Sequence, residues 1–159
     1  MPMTMIPEGV EEIKKMLNQL GQNADRVATA ALYDGAGIMA DEIKSAAGNI
    51  RTAPFHYAVF IQRDVSPEEK TVVQNGIGIG RFEHGTGVNT AVGYGRKSGY
   101  AMMVGRRKAI PQIANAINSG TSFMRKQPFV REAAASGGPK ASAAMMKKIE
   151  EKLDEMTTK

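Results

Sequence analysis

The residues that most suggest chemistry lie in a glycine-rich stretch between positions 76 and 95. Gly76-Ile77-Gly78-Ile79-Gly80 has glycines like those of a dinucleotide-binding loop, but that loop needs its third glycine three residues after the second, where this chain has Arg81. Gly95-Arg96-Lys97-Ser98 has the lysine and serine of a phosphate-binding loop, yet no glycine directly precedes the lysine. We therefore predict that these glycines belong to strands and hairpins, or to backbones packed against another subunit. We expect no bound cofactor.

Residues for metal binding or nucleophilic catalysis are scarce. The chain has no cysteine and two histidines, His56 and His84, whereas a catalytic zinc site normally has three protein ligands. Ser119 and Ser122 lie in a Gly/Thr-rich turn, and neither sits in the Gly-x-Ser-x-Gly turn of serine hydrolases. We expect no metal, no catalytic residue and a protein that is not an enzyme.

Positive charge is concentrated in the middle of the chain. Residues 76–126 hold eight basic side chains against one acid, Glu83, so this segment carries +7 while the whole chain carries +5. A solvated loop surface and a face that binds polyanions or acidic partners both fit this pattern. The candidate contact residues are Arg81, Arg96, Lys97, Arg106, Arg107, Lys108, Arg125 and Lys126.

The basic segment also supports an alternative function, a small nucleic-acid-binding module that uses residues 81–126. Phe82, Tyr94 and Tyr100 stand among its glycines and basic residues as possible stacking groups for bases. Binding to short DNA by the monomer would favour this alternative.

The elements that would carry these residues can be predicted from composition and periodicity. With 159 residues, 42% of them hydrophobic, the chain has the size and composition of one globular domain. We predict a single α+β domain over residues 1–159, with N-terminal helices and a C-terminal helix packed on a small antiparallel sheet of three to four or more strands. No apolar run approaches the roughly 20 residues that span a bilayer, and residues 1–7 lack a signal sequence, so we expect a soluble chain with no membrane partner.

The N-terminal helices are predicted over residues 8–47. Apolar residues from Glu8 to Leu20 recur with helical spacing and Gly21 is expected to end this first helix, after which a second runs to Ala47. Gly35 and Gly37 fall inside the second pattern, and each costs about 1 kcal/mol of helix propensity relative to alanine. We favour one continuous second helix that ends at Gly48-Asn49.

The antiparallel sheet, with its basic glycine-rich hairpins, is predicted over residues 54–105. Strand candidates are His56–Val65, Thr71–Phe82, Val88–Tyr94 and Tyr100–Val104. Ser66-Pro67-Glu68-Glu69 has the signals of a helix start or a tight turn. The conformation of residues 106–127 is left open, because Pro111 argues against a central strand.

A C-terminal helical region is predicted over residues 128–158. Pro128 is expected to begin one helix, Gly137-Gly138 to end it, and an amphipathic helix to follow from Lys140 to Met156. Just before this region, residues 118–129 read as a tight turn and a basic loop that lead to a helix anchored by Phe129.

At residues 118–133 the chain resembles the tail-component proteins of long-tailed bacteriophages, also called head-tail joining or tail-completion proteins. Their C-terminal signature is roughly Glu-Phe-Gly-Thr, a short spacer, then Pro-Ala-Gln-Pro-Phe-Leu-Arg-Pro-Ala before a last helix. The residues that match it in order and spacing are Gly120, Thr121, Gln127, Pro128, Phe129, Arg131 and Ala133. The residues that depart from it are Asn118, Ser119, Arg125, Lys126 and Glu132.

The resemblance implies a structural protein of the virion neck or tail end. It implies assembly into a ring, of which a hexamer is one form, contact with neck and tail-tube proteins, and no catalytic residues. It also implies that copies can stay monomeric until they meet the structure that they complete. The protein would be synthesised in the host cytoplasm and reside in the virion, where the basic segment would face acidic partner subunits or, non-specifically, passing DNA.

Overall fold

A computed structural model describes residues 10–53, 62–84, 88–103 and 105–158. The fold is α+β, as predicted: in these ranges, four α-helices are joined by short antiparallel strand pairs. In chain order the elements are α1 (Val10–Gly48), α2 (Pro67–Asn75), β1 (Gly78–Ile79), β2 (Glu83–His84), β3 (Val88–Asn89), β4 (Val92–Gly93), a 3-10 turn (Arg96–Ser98), β5 (Tyr100–Met103), β6 (Arg106–Ala109), α3 (Ile110–Ser119) and α4 (Phe129–Thr157).

Helices α1 and α4 form a long antiparallel pair. Glu42 contacts Lys140 while Asp34 contacts Lys148, so positions fall along one helix as they rise along the other. At 39 residues α1 is about 58 Å long, and at 29 residues α4 is about 43 Å long. None of the helices in the described ranges is both long and apolar enough to cross a membrane.

Two predicted helix ends are wrong. Gly21 does not end a helix, because α1 continues through it to Gly48, and Gly137-Gly138 does not separate two helices, because α4 continues through both glycines and Pro139. A glycine costs a helix only about 1 kcal/mol, which contacts with a facing helix can offset. Gly137 is buried against Met39 and Glu42 of α1. The predicted end at Gly48-Asn49 is confirmed.

The sheet is smaller than predicted. The described strands form three two-stranded antiparallel ladders, β1 with β4, β2 with β3, and β5 with β6. The first two are nested, with Gly78 opposite Gly93 and Glu83 opposite Asn89, and so build one long hairpin. The strand predicted over 71–82 is wrong in its first half, because residues 71–75 belong to α2. Of the strand predicted at His56–Val65, residues 56–61 lie outside the described residues, while Arg63 and Val65 form isolated bridges.

Helix α2 begins where the sequence signals place it. Ser66 caps it by accepting a hydrogen bond from the Glu69 N–H, and the Glu69 carboxylate accepts one from the Ser66 N–H. The same carboxylate binds the Arg63 guanidinium through two hydrogen bonds of 2.8 and 2.7 Å. Glu69 is 3% exposed, and its burial is matched by these paired charges.

The hydrophobic core lies where the C-terminal end of α1 meets α2, α3 and the first turn of α4. Its most buried large side chains are Val65, Val73, Ile113, Ile117 and Met124. Residues 106–127, whose conformation the sequence left open, supply β6, all of α3 and the turn that leads to α4. The core therefore fixes the segment in which the phage resemblance lies.

Candidate interaction surfaces

The turn after α3 depends on a glycine. Gly120 ends the helix with φ of +76°, and its N–H donates to the carbonyl of Ala116 at 2.9 Å. A Cβ at this position would lie 2.9 Å from the Cβ of Lys126. Both the left-handed backbone and the close approach of Lys126 therefore favour glycine here.

Thr121 closes the turn that follows. Its hydroxyl oxygen accepts hydrogen bonds from the N–H groups of Phe123 at 3.2 Å and Met124 at 3.0 Å. Its own N–H donates to the carbonyl of Met124 at 2.9 Å. Met124 is buried in the core, whereas the side chain of Phe123 is 75% exposed. The turn thus buries one large side chain and presents the next to solvent on a fixed backbone.

Gln127 ties this turn to the end of α1. Its side-chain oxygen accepts from the Arg51 N–H at 2.8 Å and its side-chain nitrogen donates to the Arg51 carbonyl at 3.0 Å. Its backbone N–H donates to the carbonyl of Ile117 at 2.8 Å. Gln127 therefore joins the segment that follows α1, the last turns of α3 and the start of α4.

Pro128 and Phe129 start α4 as predicted. Pro128 is the cap residue and Phe129, 2% exposed, is packed in the core with Tyr94 edge-on to its ring at a centroid distance of 6.3 Å. Burial raises the pKa of the Tyr94 hydroxyl well above its usual range. Ala133 is buried one turn later, whereas Arg131 is exposed. Of the residues shared with the phage signature, all but Arg131 thus have a structural role in this turn or in its attachment to the core.

The glycine-rich stretch forms a groove. Gly78 and Gly93 are opposite each other in β1 and β4, and the backbone on both sides of them lines an open groove of about 490 Å³. The expectation that these glycines belong to a hairpin is confirmed, and residues 81–84, which directly follow Gly80, contain no helix. The charged residues that line the groove are Arg81, Arg96 and Lys97.

The second hairpin carries the basic triplet. Arg106, Arg107 and Lys108 lie on β6 and are all exposed. The register places Met102 opposite Arg107 and Tyr100 opposite Ala109, so Tyr100 lies diagonally across from Arg107. The Arg107 guanidinium lies 4.7 Å from the centre of the Tyr100 ring, a cation–π contact.

The remaining candidate basic residues, Arg125 and Lys126, lie elsewhere, on the turn between α3 and α4. Arg125 is 3.7 Å from the Asp64 carboxylate. The eight candidates are thus divided among the groove, the β5–β6 hairpin and this turn. His84 is exposed on β2, and His56 lies outside the described residues. No set of three or more histidine, cysteine or acidic side chains in the described ranges could hold a metal ion.

Sequence reasoning missed two attachments of this region. The partner of Gln127 is a backbone peptide group at residue 51, which has no sequence signal. From the sequence, Glu69 is assigned only to the start of a helix, so its buried ion pair with Arg63 is not predicted. An arginine six residues before a glutamate is a weak signal for such a pair.

Protein-family models, characterised proteins and solved structures were each compared with the chain, and none of them matches it.

Proposed function

We propose that this chain is a non-enzymatic structural protein of a tailed bacteriophage or prophage, acting at the head-tail junction or the tail end. Copies of it would assemble into a ring and contact neck and tail-tube proteins in the virion. A closed ring needs two different faces on each subunit, one for each neighbour.

The observation that carries this proposal is the use of residues 120–133 in the fold. Gly120 adopts a backbone that favours glycine, Thr121 closes the turn, Gln127 clamps Arg51 and Phe129 fills the core. If the resemblance had arisen by chance, the matching positions would not be expected to form one turn and attach it to the core. Their joint action supports a shared structural motif, and hence the function that the motif implies.

Phe123 is the residue that we expect to contact a neighbouring subunit or virion protein. Its carbonyl accepts from the Arg63 N–H at 2.8 Å and its N–H donates to Thr121, so its backbone is held on both sides. The ring nevertheless remains 75% exposed. A large apolar side chain on a rigid backbone loses little conformational freedom on binding, which suits an interface anchor.

Deletion of the gene from its phage or prophage tests the proposal. We expect filled heads to accumulate beside separate or malformed tails, as seen by electron microscopy, and wild-type protein supplied from a plasmid to restore virions. Normal virions from the deletion would contradict the proposal.

Complementation with point variants tests the contact at Phe123. Phe123→Ser should fold with wild-type stability in urea and fail to restore virions, because it removes an exposed ring that has no core role. Ser122→Ala changes the adjacent exposed residue and should complement normally. If Phe123→Ser complements as well as Ser122→Ala does, Phe123 is not an assembly contact.

A further inference from the structure

The groove and the β5–β6 hairpin are joined by the short 3-10 turn at Arg96–Ser98. The Ser98 hydroxyl donates to the carbonyl of Gly76 at 2.6 Å, at the base of the first hairpin. The carbonyl of Gly99 accepts from the Ile110 N–H at 3.0 Å, at the base of the second. These two bonds fix Arg96 and Lys97 between the two hairpins.

We call two neighbouring sets of residues the basic track: Arg81, Arg96 and Lys97 around the groove, and Arg107 with Tyr100 on one face of the hairpin. The register places Lys108 on the opposite face of the hairpin, outside the track. The glycine floor leaves the groove open, since a Cβ at Gly78, Gly93 or Gly95 would meet no other atom within 4 Å. Gly93 has φ of +146°, which few other residues adopt. The groove is therefore lined by glycine backbone, with the basic side chains of Arg81, Arg96 and Lys97 around it.

The segment that carries the track, residues 81–107, contains one acidic residue, Glu83. The sequence has no acidic residue between Glu83 and Glu132. Among the described residues, none of the four basic side chains of the track lies within 4 Å of a carboxylate, whereas Arg125 outside the track does. Several unneutralised cations on one surface attract a ligand with regularly spaced negative charges.

An aromatic platform lies at one end of the track. Tyr100 is 63% exposed, and Arg107 packs over its ring. Met102, also 63% exposed, is cross-strand from Arg107 on the same face of the hairpin. A basic groove that follows a backbone, with an aromatic ring on which a base can stack, is the combination that binds nucleic acid strands without sequence preference.

We propose that the basic track binds the phosphate backbone of DNA, independently of whether the protein forms a ring. Arg81, Arg96 and Lys97 would contact phosphates, and Tyr100 with Arg107 would form a stacking platform where the DNA is single-stranded. Duplex and single strands share the phosphate chemistry, and only the single strand offers an unpaired base to Tyr100.

Fluorescence anisotropy of the full chain with a labelled 20-nucleotide single strand and a 20-base-pair duplex tests this proposal. We expect binding that weakens linearly with salt on a double-logarithmic plot. Arg81→Gln, Arg96→Gln and Lys97→Gln together should weaken binding about tenfold or more at 0.1 M salt and reduce the duplex salt slope by up to about 2.7, since each lost phosphate contact contributes about 0.9.

A matched triple variant separates the track from net charge. Lys44→Gln, Lys70→Gln and Lys147→Gln remove the same charge from α1, α2 and α4 and should leave affinity within about twofold of wild type. An equal loss in both triple variants would overturn the proposal. So would a failure of the wild-type chain to bind either DNA at 20 mM salt.

Tyr100 distinguishes the two DNA sources. Tyr100→Ala should weaken single-strand binding about tenfold and leave duplex binding unchanged, while Met146→Ala, which removes a similarly exposed apolar side chain from α4, should change neither. Unchanged single-strand binding upon Tyr100→Ala would contradict the stacking platform. Binding to phosphatidylglycerol vesicles without binding to DNA would overturn the proposal in favour of a membrane surface.

Discussion

The side-chain amide of Gln127 makes both of its hydrogen bonds to the peptide groups of one residue, Arg51, 76 positions earlier in the chain. It accepts from the Arg51 N–H at 2.8 Å and donates to the Arg51 carbonyl at 3.0 Å. The contact fastens the segment that leaves α1 to the residue that precedes α4. Two helices that are distant in sequence are thereby fixed at the same point.

We expect Gln127→Ala to destabilise the protein by about 1 to 2 kcal/mol, because it removes two hydrogen bonds that each contribute about 0.5 to 1.5 kcal/mol. The measurement is the midpoint of urea unfolding, followed by circular dichroism. Gln127→Glu keeps the acceptor and loses the donor, so it should fall between wild type and Gln127→Ala.

Gln112→Ala is the control for this variant, since Gln112 is an exposed glutamine on α3 whose side chain makes no hydrogen bond within the described residues. It should change stability by less than about 0.5 kcal/mol. Equal urea midpoints for Gln127→Ala and Gln112→Ala would show that the two hydrogen bonds between Gln127 and Arg51 contribute nothing to stability.

A second prediction concerns two glycines that lie two residues apart in α1. A Cβ on Gly35 would lie 2.7 Å from Cγ and 2.9 Å from Sδ of Met145 in α4, whereas a Cβ on Gly37 would meet nothing within 4 Å. We expect Gly37→Ala to stabilise the protein by up to about 1 kcal/mol through helix propensity. Gly35→Ala should instead be destabilising, because overpacking costs about 1 to 3 kcal/mol.

Thermal and urea unfolding of the two glycine variants provide the comparison. Met145→Ala added to Gly35→Ala should recover part of the loss, so the double variant should be less destabilised than the sum of the two single variants. Stabilisation by Gly35→Ala to the same extent as by Gly37→Ala would mean that α1 and α4 are not in close contact there.

The elements that carry their own end signals could be predicted from the sequence. Ser66-Pro67 with Glu69 predicted the start of α2, Gly48 the end of α1, and Pro128 the start of α4. Gly21 and Gly137 could not be read correctly, because their local cost of about 1 kcal/mol is small beside the contacts between α1 and α4. Short-range patterns do not contain the free energy of such contacts.

The candidate surfaces were predicted less completely than the helices. The basic residues were identified as a set, but their division among the groove, the hairpin and the turn depends on register and chain path. Arg107 meets Tyr100 because Met102 is paired with Arg107, a pairing that sequence alone does not fix. Gln127 was identified through the phage resemblance, yet its partner is a peptide group, which any residue type supplies.

A third prediction concerns the buried pair of Glu69 and Arg63. Glu69 accepts two hydrogen bonds from the Arg63 guanidinium and one from the N–H of Ser66, and it is 3% exposed. We expect Glu69→Ala to destabilise the protein by about 3 kcal/mol, because it leaves the half-buried arginine without this carboxylate and removes half of the capping box. Urea unfolding measures the effect.

Glu68→Ala provides the matched control, since Glu68 is the adjacent, exposed glutamate in the first turn of α2. It should cost less than about 1 kcal/mol, the usual contribution of an exposed acid near a helix N-terminus. A Glu69→Ala variant as stable as Glu68→Ala would show that the pair is not required for folding.

The last prediction concerns pH and the carboxylate of Glu42, where α1 meets α4. The hydrogen bond from Lys140, followed by that from Ser136, holds the pKa of Glu42 below its ordinary value of 4.5. A carboxyl group whose pKa is lower in the folded state stabilises the fold above its unfolded pKa, and this stabilisation is lost as the pH falls through the folded pKa. Glu42→Gln should therefore be less stable than wild type at pH 7, and the difference in urea midpoint should shrink as the pH falls below 4.5.

Glu150→Gln serves as the comparison, because Glu150 is exposed on α4 and has no ion pair within 4 Å in the described part of the chain. Its midpoint should follow that of wild type across the same pH range. Lys140→Gln removes the larger cause of the lowered pKa of Glu42. The difference in urea midpoint between Lys140→Gln and wild type should therefore also shrink as the pH falls. If the urea midpoints of Glu42→Gln and wild type differ by the same amount from pH 7 to pH 3, the ionised carboxylate is not the stabilising group. Protonation of Glu42 would then have no effect on the contact between the two helices.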